Sequence, residues 1–76
     1  MLDRIVYDPA ILGGKPIIRG TRISVEMILE WIASGATRDD ILRHHGHLTG
    51  ADVEQALGYA AAVAKNEVLV TVPVGG

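Results

Sequence analysis

Gly13-Gly14-Lys15-Pro16-Ile17-Ile18-Arg19-Gly20-Thr21-Arg22-Ile23-Ser24 crowds two reversals, three cations and a helix start into one run of a 76-residue chain. The glycine pair before Lys-Pro predicts a tight reversal. Glycine tolerates positive φ, Pro16 fixes its own φ, and Lys15 before proline is biased to an extended shape. Ile17 and Ile18 then read as a short buried strand. Gly20-Thr21 reads as a second turn or bulge, and Ser24 supplies a hydroxyl to cap the helix that follows. The run is thus a folded platform carrying Lys15, Arg19 and Arg22.

On its N-terminal side, Ile5-Val6-Tyr7 reads as a strand able to pair with Pro16–Arg19 across the Asp8–Gly14 connection. On its C-terminal side, Val25, Ile28, Leu29 and Ile32 recur at helical spacing, which predicts a first helix from Ser24 to a stop at Gly35. Ile23 is placed to staple onto Ile28. Thr37 followed by Asp40 predicts a capping box for a second helix, with Ile41 and Leu42 as anchors and Gly46 as a left-handed stop. Thr49 and Asp52 predict a third start, with Leu48 stapled to Val53 and a core face of Val53, Ala56, Leu57, Ala60 and Ala64. Beyond Asn66, Val68, Val70, Val72 and Val74 alternate with Leu69, Thr71 and Pro73, the composition of an edge strand. A short helix, a brief turn and a longer helix match a helix-turn-helix arrangement at the level of pattern.

Asp8-Pro9, Gly13-Gly14-Lys15-Pro16, the two isoleucines and Arg19-Gly20-Thr21-Arg22 resemble the signature of small prokaryotic proteins grouped as domain of unknown function 433. The likeness runs on through Ala33, Gly35, Thr37, His47-Leu48-Thr49, Asp52-Val53 and Ala56-Leu57. It implies a helix-turn-helix-like fold and, for some members, a role as the antitoxin partner of a PIN-type ribonuclease. The expected architecture is mainly α, with a three-helix, homeodomain-like or winged-helix-like core flanked by short N-terminal β-strands and a C-terminal β-strand. One domain spans 1–76: a platform at 1–23, the helical core at 24–66, and a strand and tail at 67–76.

A chain this short builds one small core, so self-association as a homodimer is a reasonable expectation. With no cysteine, disulfides and thiolate zinc sites are excluded. Met1-Leu2-Asp3-Arg4 lacks the basic start and apolar run of a signal peptide, and no apolar stretch approaches the roughly 20 residues that span a membrane. A cytoplasmic protein with no membrane partner is expected. Formal charge is -2, but Arg4, Lys15, Arg19 and Arg22 outweigh Asp3 and Asp8 over residues 1–23, while residues 24–76 are acidic. Any basic face is therefore small and N-terminal.

Lys15, Arg19 and Arg22 are candidate phosphate ligands, for DNA or for an acidic partner; the alternative is that they pair with carboxylates and order the turn. Their spacing does not match a P-loop. On the outward wheel of the third helix stand Ala51, Glu54, Gln55, Gly58, Ala62 and Lys65, of which only Gln55 is a base reader and Glu54 repels phosphate. The small residues suit close approach of another backbone. His44, His45 and His47 suit a helix C-terminus better than a metal centre, since adjacent histidines diverge and no cysteine completes a set. No cofactor is expected. With no cysteine nucleophile, no recognised Ser-His-Asp order and acidic residues mainly at helix starts, the chain does not read as an enzyme. Met27 and Trp31 flank the first helix stripe, and with Val68, Val70 and Val72 they form either core wrapping or a partner surface.

Two functions follow from different classes. The first is a DNA-binding, antitoxin-like regulator that contacts double-stranded DNA through the platform and a PIN-type toxin through its apolar surface. The second is a protein-interaction or dimerisation module of the same fold that does not touch DNA.

Overall fold

The computed structural model describes residues 2–66. Two strands, β1 (Ile5–Tyr7) and β2 (Pro16–Ile18), precede three helices, α1 (Val25–Ala33), α2 (Arg38–His44) and α3 (Gly50–Asn66). The protein is mainly helical with one small antiparallel sheet. The expected C-terminal strand, with Val68, Val70 and Val72, lies outside the described residues.

β1 pairs with β2 in the register Ile5 to Ile18, Val6 to Ile17 and Tyr7 to Pro16. The Arg19 N–H extends the pairing by donating to the Arg4 carbonyl at 2.8 Å, and β2 touches the chain again where the Ile18 N–H donates to the Ile23 carbonyl at 2.9 Å. Between the strands, a single 3-10 turn at Leu12–Gly14 makes the reversal, with φ of 51° at Leu12, 67° at Gly13 and 84° at Gly14. Two successive glycines meet a demand for positive φ that most residues resist.

Each helix starts where a side chain can satisfy an orphan N–H. Ser24 accepts from the Met27 N–H at 3.0 Å. Thr37 and Asp40 form a reciprocal box, at 2.9 Å and 3.1 Å, and Thr49 and Asp52 form a second, at 2.8 Å and 3.2 Å. Such caps stabilise a helix by about 0.5–2 kcal/mol each. α1 ends in a Schellman arrangement: the Gly35 N–H donates to the Ile32 carbonyl and the Ala36 N–H to the Trp31 carbonyl, both at 3.0 Å, around a φ of 103° at Gly35.

The core gathers Ile18, Ile23, Val25, Ile28, Ile41, Leu48, Val53 and Ala56, so both residues of each expected staple are buried in one cluster. Ile28, Val53 and Ala56 have no exposed surface. α1 and α3 form the main helical contact, and β2 closes one end of it against α1.

Two expectations fail. Leu57 is 40% exposed and Ala64 is also exposed. The buried face of α3 follows Val53, Ala56 and Ala60, and a nine-residue α1 cannot cover the flank or the far end of a seventeen-residue α3. Gly46 is not a left-handed stop. α2 ends at His44, and the cap residue His45, at φ −126°, donates its N–H to the Ile41 carbonyl at 2.9 Å, so no positive φ is required.

Candidate functional site

The turn joining β2 to α1 is braced from within. Gly20 takes φ 78°, the Thr21 hydroxyl donates to the Ile18 carbonyl at 2.8 Å, and the same oxygen accepts from the Ile23 N–H at 3.0 Å. The Thr21 N–H adds a bond to the Ile18 carbonyl at 3.0 Å. Arg19 and Arg22 both stand exposed on this frame. Among the described residues neither forms an ion pair, while Arg4, Lys15, Arg38 and Arg43 all do.

Lys15 departs from the other two cations. Its ammonium donates to Glu26 at 2.7 Å. That hydrogen bond and the charge behind it push the Lys15 pKa up and the Glu26 pKa down. Both partners are 56% exposed, so the pair orders the reversal more than it stabilises the fold. The platform is thus divided: Lys15 serves the turn, whereas Arg19 and Arg22 keep their guanidinium groups open to an anion.

Gln55 has a local task. Its side-chain carbonyl accepts the Arg4 N–H at 2.8 Å, and its amide group donates to Asp3 at 2.9 Å. The donated bond is the main reason the Asp3 carboxyl is held below its ordinary pKa, with smaller contributions from Arg4 and Arg19. Beside it, the Arg4 guanidinium donates to Asp52 at 3.1 Å. The residue expected to read bases therefore fastens the N-terminal segment to α3. Glu54 on the same helix pairs with Arg38 of α2 at 2.9 Å. Sequence reasoning missed the role of Arg4; the signal available was a capping Asp52 with a second oxygen left to satisfy.

Trp31 of α1 is half-buried and stacks on His45, with ring centroids 4.4 Å apart and planes inclined by 12°. His47 meets His45 edge-on at 6.3 Å. Trp31 is therefore covered on one face by this chain. Met27 is half-buried beside Leu12 and Lys15. A more apolar groove of about 340 Å³ runs between α1 and α3, lined by Pro16, Val25, Leu29, Tyr59, Ala60 and Val63 together with the paired Lys15 and Glu26. The Tyr7 and Tyr59 hydroxyls bond to each other nearby, which raises the Tyr59 pKa. Among the described residues, no helix is long and apolar enough to cross a membrane.

Among curated proteins, no sequence matches this one. A crystal structure of a DUF433 member protein from Anabaena variabilis has a similar fold, with a TM-score of 0.79 and 28% sequence identity. The match covers 83% of this chain and 62% of that one, so this chain spans less than two thirds of the length of that relative. The family described as "Protein of unknown function (DUF433)" matches residues 5–60, which include both strands, α1, α2 and the buried half of α3. The chain belongs to the DUF433 family.

Proposed function

We propose that this domain is a DNA-contacting regulator of antitoxin type, whose contact with the duplex is made by the Arg19–Arg22 turn. The observation that carries the reading is the pair of exposed guanidinium groups on a braced turn, neither in an ion pair among the described residues. Guanidinium groups with no competing carboxylate bond are available to neutralise backbone phosphates, and the braced turn fixes where they are anchored. The order of a short α2, a five-residue turn and a long α3 supports a helix-turn-helix arrangement. Yet α3 offers the groove Glu54 and small residues, with Gln55 engaged, so its part is to position the platform, not to read bases. A homodimer presenting two such turns would double the phosphate contacts, and a PIN-type ribonuclease is the toxin the family resemblance suggests. The test is duplex binding to DNA from upstream of the gene, with Arg19→Ala and Arg22→Ala as variants. Salt-sensitive binding weakened by each supports the reading, and wild-type affinity in both variants removes the turn from it.

A second reading, a protein-interaction module without DNA contact, is favoured by a different observation. The apolar groove of Leu29, Tyr59 and Val63, the acidic balance of residues 24–76 and the small residues on the outward face of α3 suit a protein surface better than phosphate. Absence of duplex binding at low salt, together with a tightly co-purifying protein, supports this reading against the first.

A further inference from the structure

The strands alternate, and the alternation leaves Ile17 on the opposite sheet face from Ile18. Ile18 belongs to the main core, with Ile5 packed against it; Ile17 is only 2% exposed yet lies outside that cluster. On its side of the sheet stand Asp8 and Ile11 of the connection between the strands. There, Val6, Ile11 and the almost fully covered Ile17 form the aliphatic floor of an open cleft of about 450 Å³, whose lining is completed by Asp8, Gly20, Thr21 and Arg22. The Gly13–Ser24 run therefore does more than turn the chain: with Val6, Asp8 and Ile11 it lines this cleft.

The chemistry of the lining is specific. Arg22 offers a guanidinium group with no ion-pair partner among the described residues, and Arg19 stands three positions away on the same turn. Asp8 uses Oδ1 to accept the Ala10 N–H at 2.9 Å, and its other oxygen has no donor among the described residues. A carboxylate matches Arg22, an amide N–H matches Asp8, and a branched aliphatic side chain matches the floor. A bare phosphate would satisfy the guanidinium and leave the floor wet. We propose that this cleft takes the free C-terminal carboxylate of a partner protein whose last residue is aliphatic. Carboxylate capture of this kind is a recurring mode of peptide recognition. The proposal rests on the protein-interaction reading, not on the DNA reading, since Arg22 cannot hold a carboxylate and a duplex phosphate at once, and it adds to the α1–α3 groove a second surface for the partner.

The test is a titration of the isotope-labelled 76-residue chain with N-acetyl-leucine, with its uncharged amide and with inorganic phosphate, following the backbone amide resonances. N-acetyl-leucine is expected to shift Ile11, Gly20, Thr21 and Arg22 saturably, with the amide at least about tenfold weaker, the loss expected for one charge-assisted pair. Arg22→Gln should reproduce that loss and Ile11→Ala should also weaken binding, whereas Arg19→Gln should leave it within about twofold on the scale of a remote surface charge. Because Arg22 is exposed, its variant keeps the fold even if Ile11→Ala does not. Equal response to the acid and its amide, no saturable shift, or an equal response to phosphate alone overturns the proposal. If the cleft fails while a co-purified partner binds Arg22→Gln as it binds wild type, the protein-interaction reading survives and only the cleft is lost.

Discussion

The Arg4 guanidinium and the Asp52 carboxylate meet at 3.1 Å, joining the segment before β1 to the first turn of α3. Asp52 is 6% exposed and its other oxygen caps α3 through the Thr49 N–H. One carboxylate thus fixes both the helix start and the chain terminus that carries the sheet.

Asp52→Ala removes the cap and leaves Arg4 without its partner, so a loss of about 1–3 kcal/mol is expected in urea unfolding. Arg4→Ala should cost less, since its side chain is 43% exposed and water can replace it less expensively. Equal losses in the two variants would contradict this division.

Ile28 and Leu57 look alike in sequence and differ in burial, at 0% and 40% exposed. Ile28→Ala should destabilise by about 2–5 kcal/mol through lost contacts and a cavity. Leu57→Ala should cost less than about 1 kcal/mol, in the range of surface substitutions. Similar midpoint shifts in the two would return Leu57 to the core.

Gly35→Ala should lower stability by about 1 kcal/mol or more, because the Schellman stop of α1 holds φ at 103°. Gly46→Ala should be close to neutral, as no positive φ is present there. The pair of melting curves separates a required glycine from an incidental one.

Asp40 accepts the Thr37 N–H, and that bond holds its carboxyl below the ordinary 3.8. A folded-state pKa lowered in this way contributes stability that is complete above the unfolded value and is lost as pH falls through the folded one. Asp40→Asn should therefore be less stable than wild type at neutral pH and lose less on acidification below about pH 4, the region where carboxylates protonate. Parallel acid curves for the two proteins would place the pH dependence elsewhere.

Much of this fold is legible along the chain because its decisive signals are local. Ser24, Thr37 and Thr49 cap the helices they precede, the strands pair as expected, and the isoleucine and valine stripes become the core. What escaped depends on unequal lengths and distant partners. Leu57 fits the helical wheel, but α1 is too short to cover it. Gln55 faces outward on an isolated helix, and only the return of Asp3 and Arg4 from about fifty positions away engages it. At the platform, spacing alone could not tell Lys15, which finds Glu26 eleven residues on, from Arg19 and Arg22, which form no ion pair among the described residues.

The central claim is that Arg19 and Arg22 form the contact with duplex DNA. Its most direct measurement is the affinity of the full chain for upstream duplex as a function of salt, for wild type and for Arg19→Ala/Arg22→Ala. Removing two phosphate contacts should flatten the slope of log affinity against log salt by roughly 1.8, at about 0.9 per contact, and weaken binding at every salt concentration. An unchanged slope and affinity in the double variant, or no duplex binding by wild type at about 50 mM salt where such contacts are strong, would contradict it.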